Sequence, residues 1–225
     1  MKIPMSPAPP FRRSNIRRRI HTSATAAAQS VIGSLAAGDE VTGLTYGQFS
    51  LIDIIEHVLT QTGPAHVTVA TWTMGIYDEN RAAGFCADGR IQSIRWLVDP
   101  SFFSRRPELA GRLIEAFGPD NFRPLNIHAK WTTIRGERLA VCIRSSMNLN
   151  PNNRIESFDI SCCDELTGYF ERVVDAVFAE IPRHGTKAGQ PTAVFEKILA
   201  EYEVAKGAPA GTTADTWAKP WAGWN

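Results

Sequence analysis

The sequence has little cysteine and no long uninterrupted apolar run. Its 225 residues include four cysteines, none of them in a C-x-x-C pair or near histidines at zinc-site spacing. No stretch approaches the roughly 20 apolar residues that a membrane span needs. The start of the chain also lacks the apolar run and small-residue cleavage site of a secretory signal. These absences predict a reduced, cytoplasmic protein without a structural metal or a membrane segment, with Cys162 and Cys163 as small buried hydrophobes.

Acidic residues are missing from the first 38 positions. This stretch carries a charge of +6 and the remainder −5, so the net charge of +1 hides a basic arm on a slightly acidic body. Residues 1–22 are rich in proline and arginine, which predicts a flexible arm. Such an arm suits contacts with the phosphates of nucleic acid, and the alternatives are a solvated tail or an organelle transit peptide. The arginines expected to contact phosphate are Arg12, Arg13, Arg17, Arg18 and Arg19.

Helical and alternating apolar patterns follow one another through the middle of the chain. The apolar spacing after Gly47 predicts a helix that ends at Gly63, and residues 23–37 are compatible with a short helix. Strands are predicted at 66–74, 91–99, 122–136, 137–146 and 157–163, and further helices at 106–118, 164–181 and 190–206. Strands that alternate with helices indicate an α/β fold with a mixed β-sheet. No internal repeat is present, so this unit occurs once.

The end of the chain differs from the rest in composition. Residues 207–225 are rich in Gly, Pro and Ala and contain Trp217, Trp221 and Trp224. Tryptophans in a flexible tail are typical of docking onto a partner, and the alternative is that they fold back over the core of the same protein. The predicted organisation is a flexible basic arm at 1–22, an α/β domain at 23–206 and a Trp-rich flexible tail at 207–225.

The stretch from residue 126 to residue 160 carries the side chains best suited to chemistry. His128 and Lys130 are two apart on a predicted strand, so their side chains are expected on one face. The strand paired with it ends near Ser146 and Asn148, and Glu156 begins the next strand. An imidazole can attack phosphorus, cationic and amide donors can hold phosphate oxygens, and a carboxylate can orient the imidazole. The alternative is a structural histidine, a solvated lysine and turn-forming Ser and Asn residues.

The order and spacing of these residues resemble the HKD signature of the phospholipase D superfamily. The signature consists of a His-x-Lys pair, a Ser-x-Asn pair and a later acidic residue, and the positions here are His128, Lys130, Ser146, Asn148 and Glu156. The resemblance covers roughly residues 47–181. It implies a mixed sheet with helices on both faces and chemistry that needs no metal or other cofactor. Single-copy members, such as small bacterial endonucleases, assemble one active site across a homodimer.

The resemblance also implies a role for each residue. His128 would be the nucleophile that forms a phosphohistidine, and His128 of the partner subunit would protonate the leaving group and later activate water. Lys130 and Asn148 would bind the phosphate oxygens. Ser146 occupies the serine position of the family, and Glu156 is similar to the acid that orients a histidine.

Two positions depart from the family pattern. Arg135 stands where the family has an aspartate, and Ser145 stands where it has the glycine of Gly-Ser-x-Asn. Members related to tyrosyl-DNA phosphodiesterases also lack that aspartate and remain active.

Three hypotheses follow from the sequence. The first is a homodimeric, metal-independent phosphodiesterase, and its Arg-rich arm favours nucleic acid over lipid as the substrate. The second is a catalytically silent nucleic-acid-binding module, in which Arg135 and Ser145 mark lost activity. The third is a phage structural or assembly protein that contacts its partners through the arm and the tail.

Overall fold

Strands and helices alternate along the residues that the computed structural model describes, which are 17–22, 27–150 and 153–180. The strands are β1 Arg17–Thr22, β2 Asp39–Thr45, β3 Ala65–Thr71, β4 Ile91–Val98, β5 Phe122–Pro124, β6 Trp131–Gly136, β7 Ala140–Ser145 and β8 Glu156–Ser161. The helices are α1 Ala28–Ile32, α2 Leu51–Thr62, α3 Ile76–Ala87, α4 Pro100–Arg105, α5 Pro107–Phe117 and α6 Asp164–Glu180. The predicted helix at 190–206 and the tail at 207–225 lie outside the described residues.

The strands form one mixed sheet in the order β1-β2-β8-β7-β6-β3-β4-β5. β3, β4 and β5 are parallel neighbours, and helices α3, α4 and α5 connect them. β3 is antiparallel to β6, and antiparallel pairing continues through β7 and β8 to β2. β1 is parallel to β2. The predicted mixed sheet of an α/β fold is therefore confirmed.

Helices cover both faces of the sheet, because successive residues of the central strands belong to different apolar clusters. Val69 of β3 and Trp96 of β4 pack in the large cluster that includes residues of α2, α3 and α5. Their neighbours Ala70 and Leu97 pack instead with Val174 of α6. This alternation is the two-residue period of a strand, and it confirms helices on both faces.

Two further sequence predictions can be compared with the described residues. Cys162 and Cys163 are buried, as predicted. Among the helices in the described ranges, none has both the length and the apolar character needed to cross a membrane.

The strand predicted at 122–136 is wrong, because the chain forms two short strands there. β5 pairs with β4 at the edge of the sheet, whereas β6 pairs with β3 on the other side of β4. One continuous strand cannot occupy both places, so residues 125–130 form a loop that crosses the end of the sheet. His128 and Lys130 lie in this loop, which we call the histidine loop, and the two-residue period of a strand does not orient their side chains.

The flexible arm predicted at 1–22 also needs correction in its last part. Arg17–Thr22 form β1, whose backbone pairs with β2 from Arg17 opposite Asp39 to Thr22 opposite Leu44. Pairing with a strand 22 residues further along the chain overrides the local composition that indicated a flexible arm. Arg17, Arg18 and Arg19 therefore belong to the sheet, while Arg12 and Arg13 lie outside the described residues.

Candidate active site

The predicted site residues gather at one end of the strands. β3, β4, β5 and β7 run in one direction and β6 and β8 in the other, so the ends of the first four meet the starts of the other two. His128 and Lys130 precede β6, Ser146 and Asn148 follow β7, and Glu156 begins β8. In open α/β sheets this is the end at which ligands bind. We call it the catalytic edge.

His128 projects from the histidine loop with its side chain open to solvent. Its ring contacts the indole of Trp72, which follows β3, with the two ring centroids 6.1 Å apart. Within the described residues the imidazole has no hydrogen-bond partner, so both of its nitrogens can meet a substrate.

Asp99 holds the histidine loop in place. Its carboxylate accepts a hydrogen bond from the Ser101 backbone N–H at 2.9 Å and so caps the start of α4. The same carboxylate accepts from the backbone N–H of Ile127 at 3.3 Å. Asp99 therefore ties the residue before His128 to the end of β4. An Asp-Pro pair indicates a helix start in the sequence, but this second, long-range contact leaves no local signal.

Lys130 links the histidine loop to the connection between β7 and β8. Its ammonium donates to the backbone carbonyl of His128 at 2.8 Å. Its own backbone carbonyl accepts from the Ser145 N–H at 3.2 Å. Burial lowers the pKa of Lys130, and the carboxylate of Glu156 opposes that shift. The cation therefore lies within electrostatic reach of Glu156, beside the backbone of the histidine.

Two serine hydroxyls fix the turn that precedes β8. The Ser145 hydroxyl donates to the Ser157 carbonyl at 2.8 Å and accepts from the Met147 N–H at 2.9 Å. The Ser146 hydroxyl donates to the carboxylate of Glu156 and accepts from the Ser157 N–H at 2.9 Å. The structure thus brings Ser146, Glu156 and Lys130 together. The role of Glu156 in orienting a histidine stays a prediction.

Asn148 lies after the end of β7, beside the segment that follows β3. The next residue, Leu149, pairs in parallel with Met74, and its carbonyl accepts from the Gly75 N–H at 2.6 Å. The side-chain oxygen of Asn148 is buried and has no hydrogen-bond partner in the described part of the chain. An unpaired buried amide oxygen can accept a hydrogen bond from a ligand or water, whereas a phosphate oxygen would need the amide N–H group of Asn148. Phosphate binding by Asn148 stays a prediction.

Arg135 takes no part in the catalytic edge. It lies at the other end of β6, five residues beyond Lys130 and so about 16 Å away along the strand. Its guanidinium donates to Glu171 at 2.9 Å and to Asp164 at 2.5 Å, both on α6. Hydrogen bonding to these carboxylates raises the pKa of Arg135. Arg135 therefore anchors α6 to the sheet.

An apolar cavity of about 610 Å³ opens beside His128. The histidine loop, the ends of β3 and β4 and one side of α6 form it, and its apolar walls include Trp72, Leu125, Ile127, Trp131, Val173 and Val177. No local sequence pattern predicts this cavity, because its walls come from separate segments that meet only in the folded chain.

No family model matches the sequence, and no curated protein matches it either. Among solved structures, the phospholipase D family member Nuc from Salmonella typhimurium is similar at 10% identity and a TM-score of 0.45, over 65% of this chain and 98% of Nuc. The polyphosphate kinase from Porphyromonas gingivalis is similar at 13% identity and a TM-score of 0.44. That likeness covers 74% of this chain and 31% of the kinase, so this chain spans about a third of that protein. Both likenesses are low, and the candidate active site is defined by the contacts of this chain's own residues.

Proposed function

We propose that the protein is a phosphodiesterase of the phospholipase D type that cleaves nucleic acid with His128 as its nucleophile. The observation that supports this most is the convergence at the catalytic edge. A solvent-open imidazole and an ammonium on the histidine loop lie at the same end of the sheet as a carboxylate with its serine partner from the connection between β7 and β8.

The proposed reaction has two displacements at phosphorus. In the first, a ring nitrogen of His128 attacks phosphorus, the bond to the leaving oxygen breaks, and that oxygen takes a proton from His128 of the partner subunit. Lys130 and Asn148 hold the non-bridging oxygens while charge develops on them. In the second, His128 of the partner subunit removes a proton from water, the water oxygen bonds to phosphorus, and the bond between nitrogen and phosphorus breaks.

The proposed reaction takes its second imidazole from a second chain, and exposed apolar residues beside Glu156 support such a contact. Tyr46 and Ile155 are large apolar residues that are 44% and 64% exposed. Thr45 of β2 lies opposite Glu156 of β8 in the sheet. Tyr46 follows Thr45 and Ile155 precedes Glu156, so both lie next to the acidic residue of the site. Exposed apolar groups that gather at one place favour a protein interface. We therefore propose a homodimer that pairs two catalytic edges.

A catalytically silent nucleic-acid-binding protein is the second candidate. The observation that favours it is the hydrogen bond that the Ser146 hydroxyl donates to Glu156. This bond engages the carboxylate that is expected to orient an imidazole. Such a protein would bind the same strands without cleaving them. A structural or assembly protein that acts through its arm and tail would bind its partners whether or not His128 is present.

Cleavage of single- and double-stranded DNA in the presence of EDTA tests the proposal. We expect the wild type to cleave, His128→Ala to lose at least about a thousandfold in rate and Lys130→Ala about a hundredfold. The matched control is Arg138→Ala, which removes an exposed cation at the far end of β6 and should cleave as the wild type does. Equal cleavage by the wild type and a folded His128→Ala would contradict the proposal. Binding without any cleavage would favour the silent protein.

A further inference from the structure

Asp78, in the first turn of α3, is a buried acid beside the catalytic edge. Its side chain is fully buried, and neither carboxylate oxygen has a hydrogen-bond partner in the described part of the chain. α3 follows β3, so its start lies at the end of the sheet that carries His128 and Lys130. An ionised carboxylate is costly to bury without partners, so its surroundings must supply a donor or keep a proton on it.

The connection between β7 and β8 meets the start of α3 at Gly75. The Gly75 N–H donates to the Leu149 carbonyl at 2.6 Å, and Met74 pairs in parallel with Leu149. The point where a Cβ of Gly75 would lie is 3.5 Å from the Asp78 carboxylate and 3.5 Å from the Cβ of Asn150. The acid and the Asn150 side chain therefore border the same small space.

The unpaired atoms beside this space are hydrogen-bond acceptors. The side-chain oxygen of Asn150 is buried and, like both carboxylate oxygens of Asp78, has no partner within the described residues. Asn148, two residues earlier, has a buried and unpaired oxygen of the same kind. Two acceptors cannot bind each other unless one of them carries a proton, and a protonated carboxyl group is a donor that an amide oxygen accepts.

The charges around Asp78 favour the protonated form. Burial raises its pKa to about 7, the carboxylate of Asp53 on α2 adds to the shift, and Arg81 of α3 opposes it. The guanidinium of Arg81 pairs with Asp53 at 3.2 Å and so does not neutralise Asp78 itself. Glu79, the next residue of α3, pairs with Arg112 of α5. Around neutral pH the Asp78 carboxyl group therefore keeps a proton in a large share of the molecules.

We propose that Asp78 is a positioning residue for Asn148, because its protonated carboxyl group donates to the side-chain oxygen of Asn150 and so holds residues 148–150 at the catalytic edge. Asn148 can then offer its amide N–H group to a phosphate oxygen, which is its role in the proposed reaction. When Asp78 releases its proton to water, the carboxylate and the amide oxygen repel each other and the segment is no longer held. The effect on cleavage rests on the proposed function, whereas the contact does not depend on it.

Rates of DNA cleavage at pH 6 and pH 8.5 test the effect on the reaction. Asp78→Asn keeps a donor at every pH, so we expect the ratio of its rate to the wild-type rate to rise at least about tenfold between the two pH values. The titration of other groups affects both proteins alike and cancels in this ratio. Asp78→Leu removes the donor along with the charge, so it should be slower than Asp78→Asn at both pH values. Glu115→Gln makes the same carboxylate-to-amide change at an exposed position and is the control.

Nuclear magnetic resonance of the backbone amides tests the contact without any substrate. Between pH 5.5 and pH 8.5 we expect the Gly75 and Asn150 amide peaks of the wild type to shift with a midpoint at about 7, and those of Asp78→Asn to stay in place. Such a titration without DNA cleavage at any pH would contradict the phosphodiesterase and keep the contact.

Three results would overturn the inference. The first is amide peaks that do not titrate, or that titrate equally in Asp78→Asn. The second is a ratio of cleavage rates that is the same at both pH values. The third is peaks that move only when calcium chloride is added, because a cation and not a proton would then join the oxygens of Asp78 and Asn150.

Discussion

Asp78, near the start of α3, is a fully buried acid. Neither of its carboxylate oxygens has a hydrogen-bond partner in the described residues. Burial raises the pKa of Asp78 from 3.8 to about 7, and the nearby carboxylate of Asp53 adds to the shift. A pKa raised by folding means that the folded protein keeps a proton that the unfolded chain has already released. The resulting stability is complete below about pH 3.8 and is lost as the pH rises through about 7.

Asp78→Asn should therefore stabilise the protein at high pH. At pH 8 we expect its free energy of unfolding to exceed that of the wild type by up to about 4 kcal/mol, and the difference to vanish near pH 4. Urea denaturation at pH 4, 6 and 8 measures this. Glu115→Gln, at an exposed position on α5, is the matched carboxylate-to-amide control. A wild type more stable than Asp78→Asn at pH 8 would mean that a favourable partner compensates the buried carboxylate.

At the scale of the elements, the sequence predicted the helices and strands that have a regular apolar pattern of their own. The helices α2, α5 and α6 and the strands β3 and β4 were found within a few residues, because each has a regular apolar pattern. β2 was missed because its Asp, Glu and Gly residues are uncommon in strands, and the strand is stabilised by pairing with β1 and β8. α3 was missed because few of its residues are apolar and buried. Such elements depend on tertiary contacts, and a local pattern does not contain them.

The contact between β6 and α6 gives a prediction at this scale. Arg135→Asp places a third carboxylate beside Glu171 and Asp164. We expect it to lower the free energy of unfolding by roughly 2 kcal/mol, after allowing for partial exposure. The rate of DNA cleavage should change less than about twofold, because Arg135 lies about 16 Å from Lys130 along the strand.

Arg95→Asp is the matched control for this prediction. Arg95 of β4 also pairs with α6, but its partner Asp175 is 63% exposed, so the loss should stay below about 1 kcal/mol. Urea denaturation and the cleavage assay measure both variants. Faster DNA cleavage by the Arg135→Asp variant than by the wild type would contradict the anchoring role and place this position in the reaction.

At the scale of the whole molecule, the sequence identified the candidate site residues but not the side chains that surround them. The spacing of His128, Lys130, Ser146, Asn148 and Glu156 identified a set that the topology brings to one edge. Trp72, Asp99 and Arg105 were not assigned to the site, because they reach it only through the parallel packing of β3 and β4 and the start of α4. The folded sheet brings these residues to the histidine loop, and no local sequence motif indicates that they lie there.

The proposed homodimer gives a prediction at the same scale. The double variant Tyr46→Asp and Ile155→Asp places charge on the exposed apolar surface beside Glu156. We expect light scattering to give a folded monomer, and DNA cleavage to fall at least about a hundredfold because the second imidazole is lost. Ala116→Asp, at an exposed position on α5, should leave the mass and the rate unchanged. A folded monomer with full activity would contradict a shared site.

The central claim is that His128 forms a covalent bond to phosphorus. The most direct measurement is mass spectrometry of the protein after a rapid alkaline quench during cleavage of a short single-stranded oligonucleotide, followed by digestion and mapping of the adduct. The account predicts a phosphoramidate on the peptide that contains His128, absent from His128→Ala and acid-labile. An active wild type that carries its adduct on another residue would contradict the account. So would a His128→Ala variant that cleaves as fast as the wild type.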